Sequence, residues 1–295
     1  MEPGDQLKKP PASRRRILVR RLGAVVVVLL VLGGVGTALA FRNSSNAAPP
    51  PTTTIRQLRQ FRVVFPEGFT RAQMAARVGA VAKIARRESH RKVKLSEGAY
   101  LAATAKPRLV PGFGTKKVPL EGLLFPDTYD FDRSSTSAQL VTDQLQEFTS
   151  TFDGLNLAYA KSKNLTPYDV LTIASMVEGE AQVPSERPLV AAVIYNRLRD
   201  HMPLGIDATL RYGLHIPPTQ SLTESELHNP TPYNTRVHLG LPPTPINNPG
   251  LASLEAAAHP AKVDYLYFVR KPDHRHHYFT SNYQDFLNHE AAYGY

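Results

Sequence analysis

The sequence has no cysteine among its 295 residues. That excludes disulfide frameworks, Cys-ligated zinc, iron–sulfur clusters and thiol catalysis together. It also lacks any G-x-S-x-G, Walker A, G-x-G-x-x-G or H-E-x-x-H stretch, so serine-hydrolase, nucleotide and zinc-protease chemistry lose their usual signatures. No internal repeat of solenoid type is present. At roughly 150 residues per domain, the length allows about two compact units.

Residues 22–41 (LGAVVVVLLVLGGVGTALAF) lack charge of either sign, and about 20 apolar residues is the length of a bilayer-spanning helix. Residues 1–21 carry Lys8, Lys9, Arg14, Arg15, Arg16, Arg20 and Arg21 against Glu2 and Asp5, which is half of the formal net charge of +10. By the positive-inside rule this predicts a cytoplasmic tail (1–21), a single transmembrane helix (22–41) and an extracytoplasmic body. A cleavable signal peptide is the competitor, with Thr37-Ala38-Leu39-Ala40 as its processing site; the apolar run exceeds the ~7–15 residues of a signal h-region, which favours the anchor. The remaining positive charge is spread over the body. Exported, it would meet a membrane surface and wall polymers and not nucleic acid, with plain solubility an equal explanation.

Residues 42–59, rich in Ser, Pro, Thr and Asn, read as a linker. Residues 60–65 (QFRVVF) read as a strand, Pro66-Glu67-Gly68 as a turn, and Thr70 as the cap of a helix over 71–85 that buries Met74, Ala75, Val78 and Val81. The basic stretch Lys83–Lys94, with Arg86, Arg87, Arg91 and Lys92, reads as a solvated helix face in preference to a polyanion-binding stripe. Residues 106–119 are Pro/Gly-rich and read as a connection. From Leu120 onward, helices alternate with long Pro-rich loops, the setting in which binding sites tend to lie.

Thr166-Pro167-Tyr168-Asp169 is a helix start, and the helix VLTIASMVEGEA that follows is apolar on most of its circumference. Glu178 and Glu180 lie within or beside its apolar arc, about 160° apart at ~100° per residue, so they cannot form one close acid pair. Burial would raise a Glu pKa and keep a proton available for donation near neutral pH. Ordinary ion pairs with Arg187 or Arg197 are an equal alternative, and Gly179 is a candidate helix end that would re-aim Glu180. Ser185 is read as capping a further helix with Leu189, Val190, Val193, Ile194 and Leu198 on one face, and Tyr195, Asn196 and Arg197 ride with it. Residues 201–209 read as a loop entering a short strand, with Asp207 and Thr209 either lining a polar cleft or satisfying a turn. Tyr233-Asn234-Thr235-Arg236 and the Pro-rich stretch from Gly240 to Ile246 offer the amide, hydroxyl and aromatic groups that suit a sugar-binding groove, or form a Pro-stiffened loop. Asn248-Pro249 opens a helix that stops at Pro260, and Tyr265–Val269 is a buried-type strand. His274, His276 and His277 cluster after it without a carboxylate or Cys partner pattern, so no metal is expected.

These residues resemble the YceG-like endolytic murein transglycosylases. The matching stretches are 121–129 (EGLLFPDTY), 174–181 (ASMVEGEA), 195–198 (YNRL), 233–235 (YNT), 240–243 (GLPP), 257–261 (AAHPA) and 265–268 (YLYF), in the family's order. The resemblance implies an α+β protein: a small LysM-like subdomain (60–104) and a mixed helix/strand catalytic domain (105–295), anchored by a single membrane pass. It also implies endolytic cleavage of nascent peptidoglycan glycan strands to leave 1,6-anhydro-N-acetylmuramyl ends, without a cofactor. The second Glu of the family's V-E-x-E motif is its catalytic acid, which assigns that role to Glu180 and leaves Glu178 in support. With residue chemistry, it points to Tyr195, Asn196, Asp207, Thr209, Tyr233 and Asn234 as sugar-orienting groups. Three departures stand out: Gly179 replaces a basic residue common between the two acids, Gly205 stands where a Gln is common, and the upstream LysM-like part is shortened. Cell-wall synthases or division proteins are the expected protein partners, and no residue specifies which. The rivals are a muramidase-type hydrolase, with Asp207 or Glu178 activating water, and a non-catalytic wall-binding scaffold.

Overall fold

A computed structural model of the chain describes residues 60–294. The expected basic tail, membrane span and linker lie outside the described residues. Among those described, no helix is long and apolar enough to cross a membrane.

The chain enters as strand β1 (Phe61–Val64). Thr70 then caps helix α1 (Arg71–Ser89) through a capping box with Gln73, so two backbone donors of the first turn are satisfied locally. Met74, Ala75 and Val78 are buried, and Val81 packs at the edge of the core. Helix α2 (Glu97–Thr104), capped by Ser96, follows. Arg86, Arg87, Arg91, Lys92 and Lys94 are all exposed, and of the stretch between Arg86 and Lys94 only Val93 is buried, in keeping with a solvated face. The segment 106–119 does more than connect: Phe113 is buried, with ring centroids 5.6 Å from Phe148 and 4.9 Å from Phe152, and its edge faces Tyr168.

Strand β2 (Thr128–Phe131) returns antiparallel to β1, pairing Phe61 with Phe131 and Val63 with Tyr129. This pairing crosses the expected boundary at residue 104. The β1–α1–α2–β2 segment is therefore closed by residues well beyond it, and long-range pairing of this kind leaves no local mark in the sequence.

Beyond β2 come α3 (Ser137–Asp153) and the short α4 (Ala158–Ser162). Helix α5 (Pro167–Glu180) is started by a Thr166–Asp169 capping box. Every residue from Val170 to Val177 is buried. Each large apolar side chain among them contributes roughly 1.5–3 kcal/mol of burial free energy, which fixes this helix at the centre of the molecule. A 3₁₀ turn (Pro184–Glu186) leads into α6 (Arg187–Arg199). Ser185 lies inside that turn and makes no capping bond, contrary to expectation, because Pro184 and Pro188 start the two turns with their fixed φ. Helices α7 (Asp207–Leu214), α8 (Glu224–Leu227) and α9 (Leu251–Ala258) follow. The molecule ends with the hairpin β3 (Tyr267–Arg270) and β4 (His277–Thr280), then α10 (Tyr283–Tyr293). Helices with two small antiparallel sheets make a mixed α+β fold, with one hydrophobic cluster running from Val63 to Ala257.

Candidate active site

Helix α5 continues through Gly179 to Glu180, so Gly179 does not end it. Its missing side chain serves α7: a Cβ on Gly179 would stand 3.0 Å from the Ala208 Cβ, inside ordinary contact distance. The two acids of the helix therefore point to different surroundings.

Glu178 is held on all sides. Ser253 Oγ donates to it at 2.7 Å and the Gly250 N–H at 3.2 Å. Arg187 approaches to 3.8 Å, and its Nε donates to the same Ser253 hydroxyl at 3.1 Å. The Glu178 side chain is 8% exposed. This is the ion-pair alternative realised for one acid, a cross-brace from α5 to the start of α9 and to α6. Glu67, in the turn before α1, has its pKa raised by burial and by the Glu178 charge, against the pull of Arg187.

Glu180 makes no ion pair among the described residues. Desolvation raises its pKa, and the charge of Asp207 adds to the rise; Arg270, the Ala208 N–H and Arg236 oppose it. The Ala208 amide belongs to the first turn of α7, where backbone donors lack intrahelical partners and favour an anion. Glu180 is a carboxyl group that keeps its proton to higher pH than usual, with a donor and two guanidinium groups in place for the moment it becomes an anion.

The segment entering α7 is a helix start and not the expected strand. Gly205, at φ 65°, turns the chain beside Arg197, and the Ile206 N–H donates to Thr235 Oγ1 at 3.0 Å. Thr209 is fully buried; its hydroxyl donates to the Ile206 carbonyl at 2.6 Å and lies 3.0 Å from Thr235 Oγ1. Thr209 thus satisfies the turn, whereas Asp207 is half exposed and paired with Arg236 at 2.5 Å.

Other expected sugar-facing residues have their polar atoms engaged elsewhere. Asn234 is fully buried, donates to the Leu227 and Asn229 carbonyls and accepts the Arg236 N–H. It shapes the loop and offers no amide to a groove. The Tyr195 hydroxyl donates to the Ala257 carbonyl, and Asn196 Nδ2 donates to the carbonyls of Val263 and Tyr265. Tyr195 locks α6 to α9, and Asn196 locks it to the segment after α9. Arg197 likewise binds the Leu204 and Leu266 carbonyls and pairs with no acid among the described residues. Tyr233 stays partly exposed, its hydroxyl 2.8 Å from Thr244 Oγ1 and its ring edge-on to Tyr212 at 5.1 Å.

The fold thus gathers Glu180, Asp207 and the Ala208 amide, with Tyr233 on the neighbouring loop. Arg236 and Arg270 join them and were not singled out by sequence. Arg236 directly follows the Tyr-Asn-Thr stretch; Arg270 ends β3 and carries no local signal. The histidines disperse: His276 pairs with Asp273 at 2.7 Å, His277 with buried Glu186 at 2.8 Å, and His274 occupies the left-handed turn position.

Comparison with known proteins agrees in extent with this frame. The profile of the YceG-like family matches residues 45–292. A Bacillus subtilis protein named endolytic murein transglycosylase is 34% identical over 220 residues, covering 72% of this chain and 59% of its own length. A Streptococcus pneumoniae protein of the same name is 34% identical over 244 residues, covering 76% of this chain and 43% of its own. The chain thus spans about half the length of these relatives. A crystal structure of a YceG-like protein from Listeria monocytogenes superposes with a TM-score of 0.63 at 31% identity, covering 77% of this chain and 74% of that one.

Proposed function

The chain belongs to the YceG-like family, and from that premise we propose that it is a lytic transglycosylase that cuts peptidoglycan glycan strands internally, with Glu180 as its catalytic acid. The observation that carries the assignment is the partly buried Glu180 carboxyl at the end of α5, which makes no ion pair among the described residues and lies next to the contact of Gly179 with Ala208 in the first turn of α7. Protonated Glu180 donates to the glycosidic oxygen as the C1–O bond breaks through an oxocarbenium-like state. The resulting carboxylate, held by the Ala208 N–H and the field of Arg236 and Arg270, takes the proton of the muramyl C6 hydroxyl as that oxygen bonds to C1. The products are a 1,6-anhydro end and a free 4-hydroxyl, with no water consumed. Glu178 is bound into its brace and Asp207 into its pair with Arg236, which disfavours either as a water-activating base.

The charge-free run 22–41 behind a basic tail supports a single-pass anchor with the body outside the membrane. The antiparallel closure of β1–α1–α2–β2 supports reading that segment, to residue 131, as the LysM-like glycan-binding part. Of the sugar-orienting set, Asp207 and Tyr233 remain, and Arg236 and Arg270 are added.

Mass spectrometry of fragments released from uncrosslinked peptidoglycan tests the reading. Products one water lighter than hydrolysis products, absent with Glu180→Gln, are expected. Hydrated ends would make the protein a hydrolase, and no products from folded, glycan-binding chain would make it a scaffold.

A further inference from the structure

Glu121 is a buried acid that the chemistry above does not use. It lies 7% exposed in the loop before β2, and each of its oxygens has a different task. Oε1 accepts the Arg71 N–H at 2.8 Å, at the first residue of α1, and Asn248 Nδ2 at 3.1 Å. Oε2 accepts the Tyr212 hydroxyl at 3.0 Å. Asn248 in turn accepts the Leu124 N–H and donates to the Phe69 carbonyl. One carboxylate therefore ties together the entry to α1, the loop before α9 and helix α7.

Tyr212 sits four residues after Ala208 on α7, and residues four apart share a helix face. The face that Tyr212 anchors is thus the face whose Ala208 abuts Gly179 and Glu180. At the other end of the same helix, Thr209 and Thr235 hold the first turn. The Ile206–Thr235 bond and the Asp207–Arg236 pair hold that same end; the Tyr212 hydroxyl adds a polar attachment at the far end, which sets the direction of the helix against α5.

We propose that Glu121 is a positioning residue for Glu180: by holding the Arg71 N–H and the Tyr212 hydroxyl together, it fixes α7 so that its first turn stays against the Glu180 carboxyl. The inference rests on Glu180 being the acid of the proposed reaction. It also makes the β1–α1 unit part of the catalytic frame, since the Arg71 amide is one of the three donors.

The test is Tyr212→Phe in the full-length chain, a change that removes one hydroxyl and keeps the ring on Tyr233. Two readouts are taken: the pH–rate profile for glycan cleavage, and the titration of the Glu180 carboxyl by NMR of ¹³C-labelled glutamate, its resonance identified by its loss in Glu180→Gln. Loss of the Ala208 donor raises the Glu180 titration, so the high-pH limb moves upward, and kcat falls by about tenfold with KM within about twofold. Glu121→Ala reproduces the shift. Glu121→Gln restores the wild-type titration, because the amide still accepts from Arg71 and donates to Tyr212. A lowered Tm with an unmoved titration in Tyr212→Phe and Glu121→Ala would overturn the proposal. The titration reads it independently of the products, so a chain that releases no anhydro ends would refute the proposed function and leave the positioning result standing.

Discussion

Gly179 and Ala208 meet so closely that a Cβ on Gly179 would stand 3.0 Å from that of Ala208. This contact sets α7 against the end of α5 and with it the amide that faces Glu180. Gly179→Ala gains about 1 kcal/mol of helix propensity and must push α7 away by a few tenths of an ångström. We expect a Tm within a few degrees of wild type and a several-fold lower kcat, measured by calorimetry and glycan release. A wild-type rate would mean that the close contact is incidental to the chemistry.

Glu180→Gln removes the proposed acid, and general acid–base groups contribute typically about 10²–10⁴-fold; a loss of at least about 100-fold is expected. The same change should stabilise the fold at neutral pH. A raised folded pKa means that stability is full below the ordinary carboxylate value and declines as pH rises through the folded one. The variant's advantage in Tm should therefore be present at pH 7.5 and vanish near pH 4. An equal advantage at both would show that burial of the charge is not its source.

Asp207→Asn removes a like charge from Glu180 and leaves Arg236 without its partner. Both changes favour the ionised Glu180, so the high-pH limb of the rate profile moves to lower pH, opposite to the direction for Tyr212→Phe. The pair is half exposed, and pairs of that kind contribute about 0–1 kcal/mol, so Tm should barely change. A limb that stays in place would remove Asp207 from the site.

Glu178→Ala is expected to act on stability. It leaves the Ser253 hydroxyl and the Gly250 N–H without their acceptor and the mostly buried Arg187 without its counter-charge, at a cost of about 1–3 kcal/mol for unsatisfied buried groups. Denaturant titration should show that loss, and the residual protein should cleave glycan far better than Glu180→Gln. A collapse of activity equal to that of Glu180→Gln in folded protein would reverse the two roles.

The buried His277–Glu186 pair predicts acid sensitivity. Burial lowers the His277 pKa more than Glu186 raises it. Its contribution to stability is complete above the ordinary value of about 6.5 and is lost as pH falls from there toward the lowered folded value. Between pH 7.5 and 5, wild-type Tm should drop more than that of His277→Gln; equal drops would place the sensitivity elsewhere.

The sequence by itself determined the local structure: the Thr70 and Thr166 caps, the apolar circumference of α5, the β3 strand and the presence of two acids at a helix end. These are short-range properties, since caps and periodicity act within a few residues. The stretches shared with the family were equally legible. Tertiary structure decided which groups face one another. Whether Glu178 or Glu180 is braced depends on Ser253, more than 70 residues away. Tyr195, Asn196, Thr209 and Asn234 have the chemistry of sugar-binding groups, yet Tyr195 and Asn196 bond distant backbone, Thr209 bonds its own turn and Thr235, and Asn234 bonds its own loop. A buried polar group takes whatever partner the fold supplies, and residue type does not reveal that partner. Arg270 reaches the Glu180 region only because a hairpin from the end of the chain places it there, and Glu121 gains its three donors only when α1, α7 and the loop before α9 meet.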